Sequence, residues 1–180
     1  MATIAFKRDG DVVILVGETK GHLGQSIYLR EIEGKEEGAA PKVDLFAERR
    51  HGDFVRKLIE TGRVDTCHDL SDGGLIVAIA EMAMASKNGS GGIGASVVQA
   101  SIADAIGFWF GEDQARYLIA APFAQAETIV AEARAAGITV AELGKTGGDS
   151  LSIDGKSSVA VSKLQTAHEA WFPDFMKAEL

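Results

Sequence analysis

At 180 residues the chain is long enough to bury a core as one domain without a metal or disulfide staple. Hydrophobic residues make up 46% and charged residues 24%, and the formal net charge of −8 excludes a general nucleic-acid binder, whose surface must be basic. A small phosphorylated ligand is not excluded, because one local cluster of amides or a bound ion outweighs the net charge.

The opening IAFKRDGDVVILVG reads as a hairpin, with Asp9-Gly10 as its turn and Val12–Val16 as a β-branched strand. Residues 25–32 are short and compatible with helix or strand, and the charged, small run 33–42 is an exposed loop. From Val43 to Gly62 the spacing predicts a helix. Leu45, Phe46, Phe54, Val55, Leu58 and Ile59 share its apolar face, and Gly62 lies at its C-terminal cap.

Val64–His68 is a short strand leading into DLSDGG, and Leu75–Ser86 is a helix apolar nearly all round, which requires burial on several sides. Residues 93–98 form a strand, and Ser101 to Asp104 a capping arrangement for a helix ending near Gly111. Tyr117–Ala121 is a strand, Ala124–Ala136 a helix and Ile138–Leu143 a strand. Residues 151–153 and 159–161 are paired strands, and a last helix runs from about Lys163 to a stop at Pro173. Helices interleave with strands joined by tight turns, so the fold class is α+β, a mixed sheet with helices packed on its faces.

Several motifs are decoys. Gly89, Gly91 and Gly94 spell G-x-G-x-x-G, but a helix precedes and a strand follows, the reverse of a dinucleotide site. Gly144-Lys145-Thr146 resembles the end of a phosphate loop without its helix and reads as a strand exit. Cys67 and His68 point to opposite faces of one strand, so they do not form a nucleophile–base pair, and Cys67 reads as a buried small hydrophobe. His22, His51 and His168 lack ligand spacing and read as surface residues. Asn88-Gly-Ser90 formally matches a glycosylation site. The single cysteine, the lack of an apolar leader in residues 1–10 and the lack of any apolar run of about 20 residues predict a cytoplasmic protein with no membrane partner.

Chemistry concentrates between Cys67 and Ala85. Asp69, Ser71 and Asp72 lie in a strand-to-helix turn. Gly73 and Gly74 let its backbone bend and approach a ligand, and the helix that follows offers amides to negative charge. Two arrangements suit these residue types. The carboxylates cap the helix, the commoner case, or they hold Mg²⁺ that bridges to phosphate oxygens.

HDLSDGGL followed by an alanine-rich helix containing AEMA resembles the formylglycinamide ribonucleotide amidotransferase family, the phosphoribosylformylglycinamidine synthases. The likeness is to the second of two C-terminal domains related to aminoimidazole ribonucleotide synthetase. Gly21 to Ser26 resembles the family's G-x-L-G-x-S turn, Pro41 to Leu45 its P-x-V-D-L helix entry, Phe110 to Arg116 its F-G-E-S-x-G-R turn and Gly144 to Gly148 its G-x-V-G-G. The resemblance spans nearly the whole chain, residues 1–180 as one domain, and implies an α/β/α sandwich packed against N-terminal domains with ligands held between.

The same resemblance implies a non-autonomous piece of an ATP-dependent ligase that makes formylglycinamidine ribonucleotide, inactive alone. Its partners would be the N-terminal domains and, through them, a glutaminase subunit. Asp69 corresponds to the carboxylate that reaches Mg²⁺ of ATP or ADP, Ser71, Asp72, Gly73 and Gly74 to nucleotide-binding positions, and Glu112 and Gln114 to a turn that binds phosphoribosyl substrate. Asp113 replaces the family's serine and Ala115 its glycine, which leaves open a turn where Glu112 and Arg116 form a structural ion pair instead. A free-standing interaction module and a fragment of a related kinase or selenophosphate-type synthetase are the alternatives. An apolar face left by a missing partner would let the chain self-associate.

Overall fold

A computed structural model describes residues 1–86, 92–100 and 104–178. Thirteen elements follow in order: β1 Val12–Val16, α1 Ile27–Glu31, α2 Leu45–Glu60, β2 Thr66–Asp69, α3 Gly74–Met84, β3 Ala95–Val97, α4 Ala105–Phe110, β4 Tyr117–Ala121, α5 Phe123–Ala135, β5 Val140–Thr146, β6 Ser150–Ile153, β7 Ser157–Ala160 and α6 Val161–Ala178. The strands form one sheet in the order β2-β4-β1-β5-β3-β6-β7, in which only the β3–β6 pair is parallel.

The sheet is covered on both faces, so the expected α/β/α sandwich is the observed one. Alternation along β1 shows how. Val13 and Leu15 point into a core with α3, α4 and the start of α6, through Leu75, Ile79, Met82, Phe108 and Val161. Val12, Ile14 and Val16 point into a second core with α2 and α5, through Val55, Leu58, Ile129 and Val130. A central strand buried on both sides needs an unbroken apolar run, and VVILV is one. No helix among the described residues is long and apolar enough to cross a membrane.

Three expectations need correction. Asp9-Gly10 is a turn, but its arms form no hairpin: both edges of β1 are taken by β4 and β5, and the preceding segment crosses α3, where the Phe6 amide donates to the Met82 carbonyl. Leu45 and Phe46 are 75% and 89% exposed, because α2 buries only its middle and end, at His51, Val55 and Leu58. The last helix runs through Pro173 to Ala178. Proline removes one donor, and on this exposed stretch the orphaned carbonyl is open to solvent.

Of the predicted cap at 101–104, Asp104 carries the bonds, accepting from the Ile106 and Gly107 amides, while Ser101 lies outside the described residues. The Asn88-Gly-Ser90 motif and the first two glycines of the G-x-G-x-x-G run lie outside them as well. Gly144-Lys-Thr146 closes β5, as a strand exit should.

Candidate functional site at the Asp69–Gly74 corner

β1 and β2 end, and β4 and β5 begin, at one end of the sheet, since Val16 pairs with Tyr117 and Val140, and Asp69 pairs with Tyr117. The turn after β2 and the loops flanking residues 17–26 and 111–116 therefore meet there. Three of the motif turns are joined by hydrogen bonds between carboxylates and backbone amides.

Glu112 makes the main junction. Its Oε1 accepts from the Ile27 amide in the first turn of α1 and from the Gly73 amide at the start of α3, both at 2.8 Å. The negative charge that the start of α3 favours is thus supplied by the protein itself. Asp113, only 6% exposed, makes the second junction: Oδ2 accepts from Lys20 and Gly21 at 3.0 and 2.9 Å, and Oδ1 from His22 at 3.3 Å. The glycine-spaced loop has converging amides, and the aspartate that replaces the family's serine satisfies them.

Gly73 and Gly74 have φ of 78° and 70°. A Cβ on Gly74 would lie 2.6 Å from the Gly111 carbonyl oxygen, so the turn packs directly on the backbone of the 111–116 loop. Asp69 stands at the end of β2 with its side chain 72% exposed, its nearest polar neighbour being His68 Nδ1 at 3.4 Å. Ser71 and Asp72 are exposed, and the Ser71 carbonyl accepts from the Gly74 amide. Gly73, the N-cap residue of α3, has no side-chain cap, so neither aspartate plays the capping role that their residue type suggested.

The Glu112–Arg116 ion pair, left open by the sequence, does not form. Arg116, 2% exposed, donates instead to the Asp113 and Gly111 carbonyls and to Thr19 Oγ1. Burial holds its pKa below the usual arginine range, against the pull of Asp113 and Glu112. Gln114 is exposed and faces a separate cleft. The structure therefore joins Glu112 to Gly73 and leaves Asp69, Ser71 and Asp72 open beside them, while Gln114 points elsewhere.

Among the described residues no three histidines, cysteines or acids are placed to hold a metal ion. Asp69 and Asp72 fit Mg²⁺ in a narrower sense. That ion takes one or two carboxylates and completes its shell with phosphate and water, and exposed carboxylates beside a helix start offer such ligands.

Sequence reading missed two contacts. His68 Nε2 lies 2.9 Å from Glu81 Oε2 and ties β2 to α3, while Cys67 packs on the opposite face, as alternation requires. His51, read as a surface residue, is 5% exposed, with Nδ1 2.8 Å from the Ala115 carbonyl. Only the apolar i, i+4 and i, i+7 neighbours Val55 and Leu58 hinted at its burial.

The chain is 49% identical over 179 residues to the phosphoribosylformylglycinamidine synthase subunit PurL of Methylocella silvestris, covering 99% of this chain and 24% of that protein. It thus spans about a quarter of the length of the curated relatives it matches. Among solved structures it resembles T. maritima PurL complexed with FGAR, with a TM-score of 0.73 at 20% identity over 92% of this chain and 29% of that one. T. maritima PurL complexed with ATP gives a TM-score of 0.68 at 19% identity over 92% and 27%. Residues 8–156 match the family model of the AIR synthase related protein, C-terminal domain, and the chain belongs to that family.

Proposed function

We propose that the chain works as the C-terminal domain of a PurL-type ligase, which converts formylglycinamide ribonucleotide, ATP and ammonia into formylglycinamidine ribonucleotide. In this reading residues 1–180 form one domain that is inactive alone. Its partners are the remaining domains of the same enzyme and, through them, a glutaminase subunit, all in the cytoplasm. The observation that carries the reading is the corner itself: three motif turns stitched together by Glu112 and Asp113, with the Asp69 carboxylate left open at its rim. The relatives support it, since the T. maritima PurL structures of the same fold are complexed with FGAR and with ATP.

Asp69 is the proposed ligand to Mg²⁺ of the nucleotide, with Ser71, Asp72 and the Gly73-Gly74 backbone lining the phosphate side. Glu112 is assigned to holding this corner together, not to gripping substrate, because two backbone amides already engage its carboxylate. The cation supplies charge neutralisation between carboxylate and phosphate, and the turn orients both.

A PurL subunit carrying this chain in place of its matching quarter provides the test. Asp69→Asn is expected to raise the apparent KM for Mg-ATP about tenfold or more, whereas Asp174→Asn on exposed α6 leaves it unchanged. The 180-residue chain alone is expected to melt cooperatively without hydrolysing ATP. Mg²⁺-dependent phosphate release by the chain alone, or equal kinetics for the two variants, would overturn the proposal.

A further inference from the structure

A cleft of about 660 Å³ opens on the α2 side of the 18–23 loop and shares no lining residue with the Asp69–Gly74 turn. Its walls are Glu18, residues 20–23 and 39–42, the first half of α2, the turn 113–115 and the approach to β5. Its volume is that of a small-molecule pocket.

Two observations point to a ligand. The first is His51, which is 95% buried by its 5% exposure yet lines the cleft. A carbonyl only accepts, so Nδ1 carries the proton that it donates to Ala115. Nε2 makes no hydrogen bond among the described residues and is not sealed from solvent. Ala115 is itself held at φ 59°, a left-handed conformation that a non-glycine residue rarely adopts. The Ala115 carbonyl and the buried ring thus fix each other at the wall of the cleft.

The second observation is the local charge. Three acids line the cleft, and each carboxylate already has partners. Asp113 is held by three amides, Asp44 by the Phe46 and Ala47 amides, and Glu18 lies 3.5 Å from Lys20. Lys42 and Arg50 make no hydrogen bond or contact ion pair among the described residues, although Arg50 lies near enough to Asp44 to help hold its carboxyl below the usual range. The cleft therefore offers two cations without a contact partner and one imidazole nitrogen.

We propose that this cleft binds a small hydroxylated oxyanion, a phosphate ester or a hydroxycarboxylate, with the anion on Lys42 and Arg50 and a hydroxyl on His51 Nε2. A hydroxyl both donates and accepts, so it pairs with the ring whether or not Nε2 is protonated. The site stands apart from the nucleotide corner and does not depend on the function proposed for it.

The test follows amide shifts of the 180-residue chain titrated with glycerol 3-phosphate, inorganic phosphate, malate and succinate. Glycerol 3-phosphate or malate is expected to shift the amides of Arg50, His51 and Ala115, and the one that binds identifies the anion. It should bind about tenfold more tightly than its partner lacking the hydroxyl. Arg50→Gln, at an exposed position, should weaken binding about tenfold, and His51→Asn should abolish the preference for the hydroxyl. Asp69→Asn should leave binding unchanged. No shift at about 10 mM, binding indifferent to Arg50→Gln, or binding lost in Asp69→Asn overturns the proposal.

Discussion

Cys67 lies at the edge of the second core, half-buried against the α2 and α5 side chains, and burial pushes its thiol pKa up to about 12. The unfolded thiol ionises near its ordinary value of 9.0. The unfolded chain therefore releases a proton that the folded one retains, and the fold loses stability as pH rises from about 9 to about 12. At pH 8 the native thiol is expected to react with a thiol-specific reagent about two to three orders of magnitude more slowly than in urea, because the thiolate is the nucleophile. Stopped-flow measurement under the two conditions checks this, and equal rates would show an open, unshifted thiol. The hydrophobic role of this residue was legible from strand alternation alone. That of His51 was not, because its burial is completed by a carbonyl at position 115, far along the chain.

Short elements are held in place by carboxylates that reach across loops. α1 has five residues, none of them buried, so it draws little stability from a packed face. It is fixed at its start by Ser26, which accepts from the Leu29 amide, and by Glu112, which accepts from the Ile27 amide while also holding Gly73. Glu112→Ala removes two charge-assisted bonds at once and is expected to destabilise the chain by about 2 kcal/mol, with Glu112→Gln losing roughly half as much. Urea denaturation measures both, and hydrogen exchange should show the extra opening at Ile27 and Gly73 before the sheet. Neutral behaviour of Glu112→Ala would mean that the contact is incidental. Glu112 was named in the sequence as a substrate-binding candidate. Its structural employment was hidden because it depends on which amides converge at one end of the sheet.

Over the whole molecule, what was legible followed local chemistry and what was not followed long-range pairing. The β-branched run at 12–16 and the apolar run at 117–121 marked their strands with both boundaries, and DLSDGG marked the turn from β2 into α3. The N-terminal hairpin failed because partner choice is non-local: a good turn at Asp9-Gly10 was overruled by two strands arriving from the other end of the chain. The far half of α6 is exposed, and Trp171, Phe172, Phe175 and Met176 are 66%, 61%, 47% and 48% accessible, with Trp171 and Phe175 stacked at 5.4 Å. Clustered apolar side chains of this kind favour association. Sedimentation velocity is expected to show self-association that grows with concentration and falls in a Trp171→Ser, Phe175→Ser double variant. A concentration-independent monomer would assign the aromatics no such role.

The central place of β1 also sets a timetable. Its residues are made first among the strands, yet both neighbours, Tyr117–Ala121 and Val140–Thr146, come from the later part of the chain. VVILV keeps two open edges until residue 121 has emerged and one until residue 146 has, in a chain whose sheet closes only through distant contacts. Such topologies fold slowly and leave their stickiest segment waiting longest. A nascent chain stalled before β5 is therefore the species most in need of a chaperone, even though the finished sheet hides every residue of that strand.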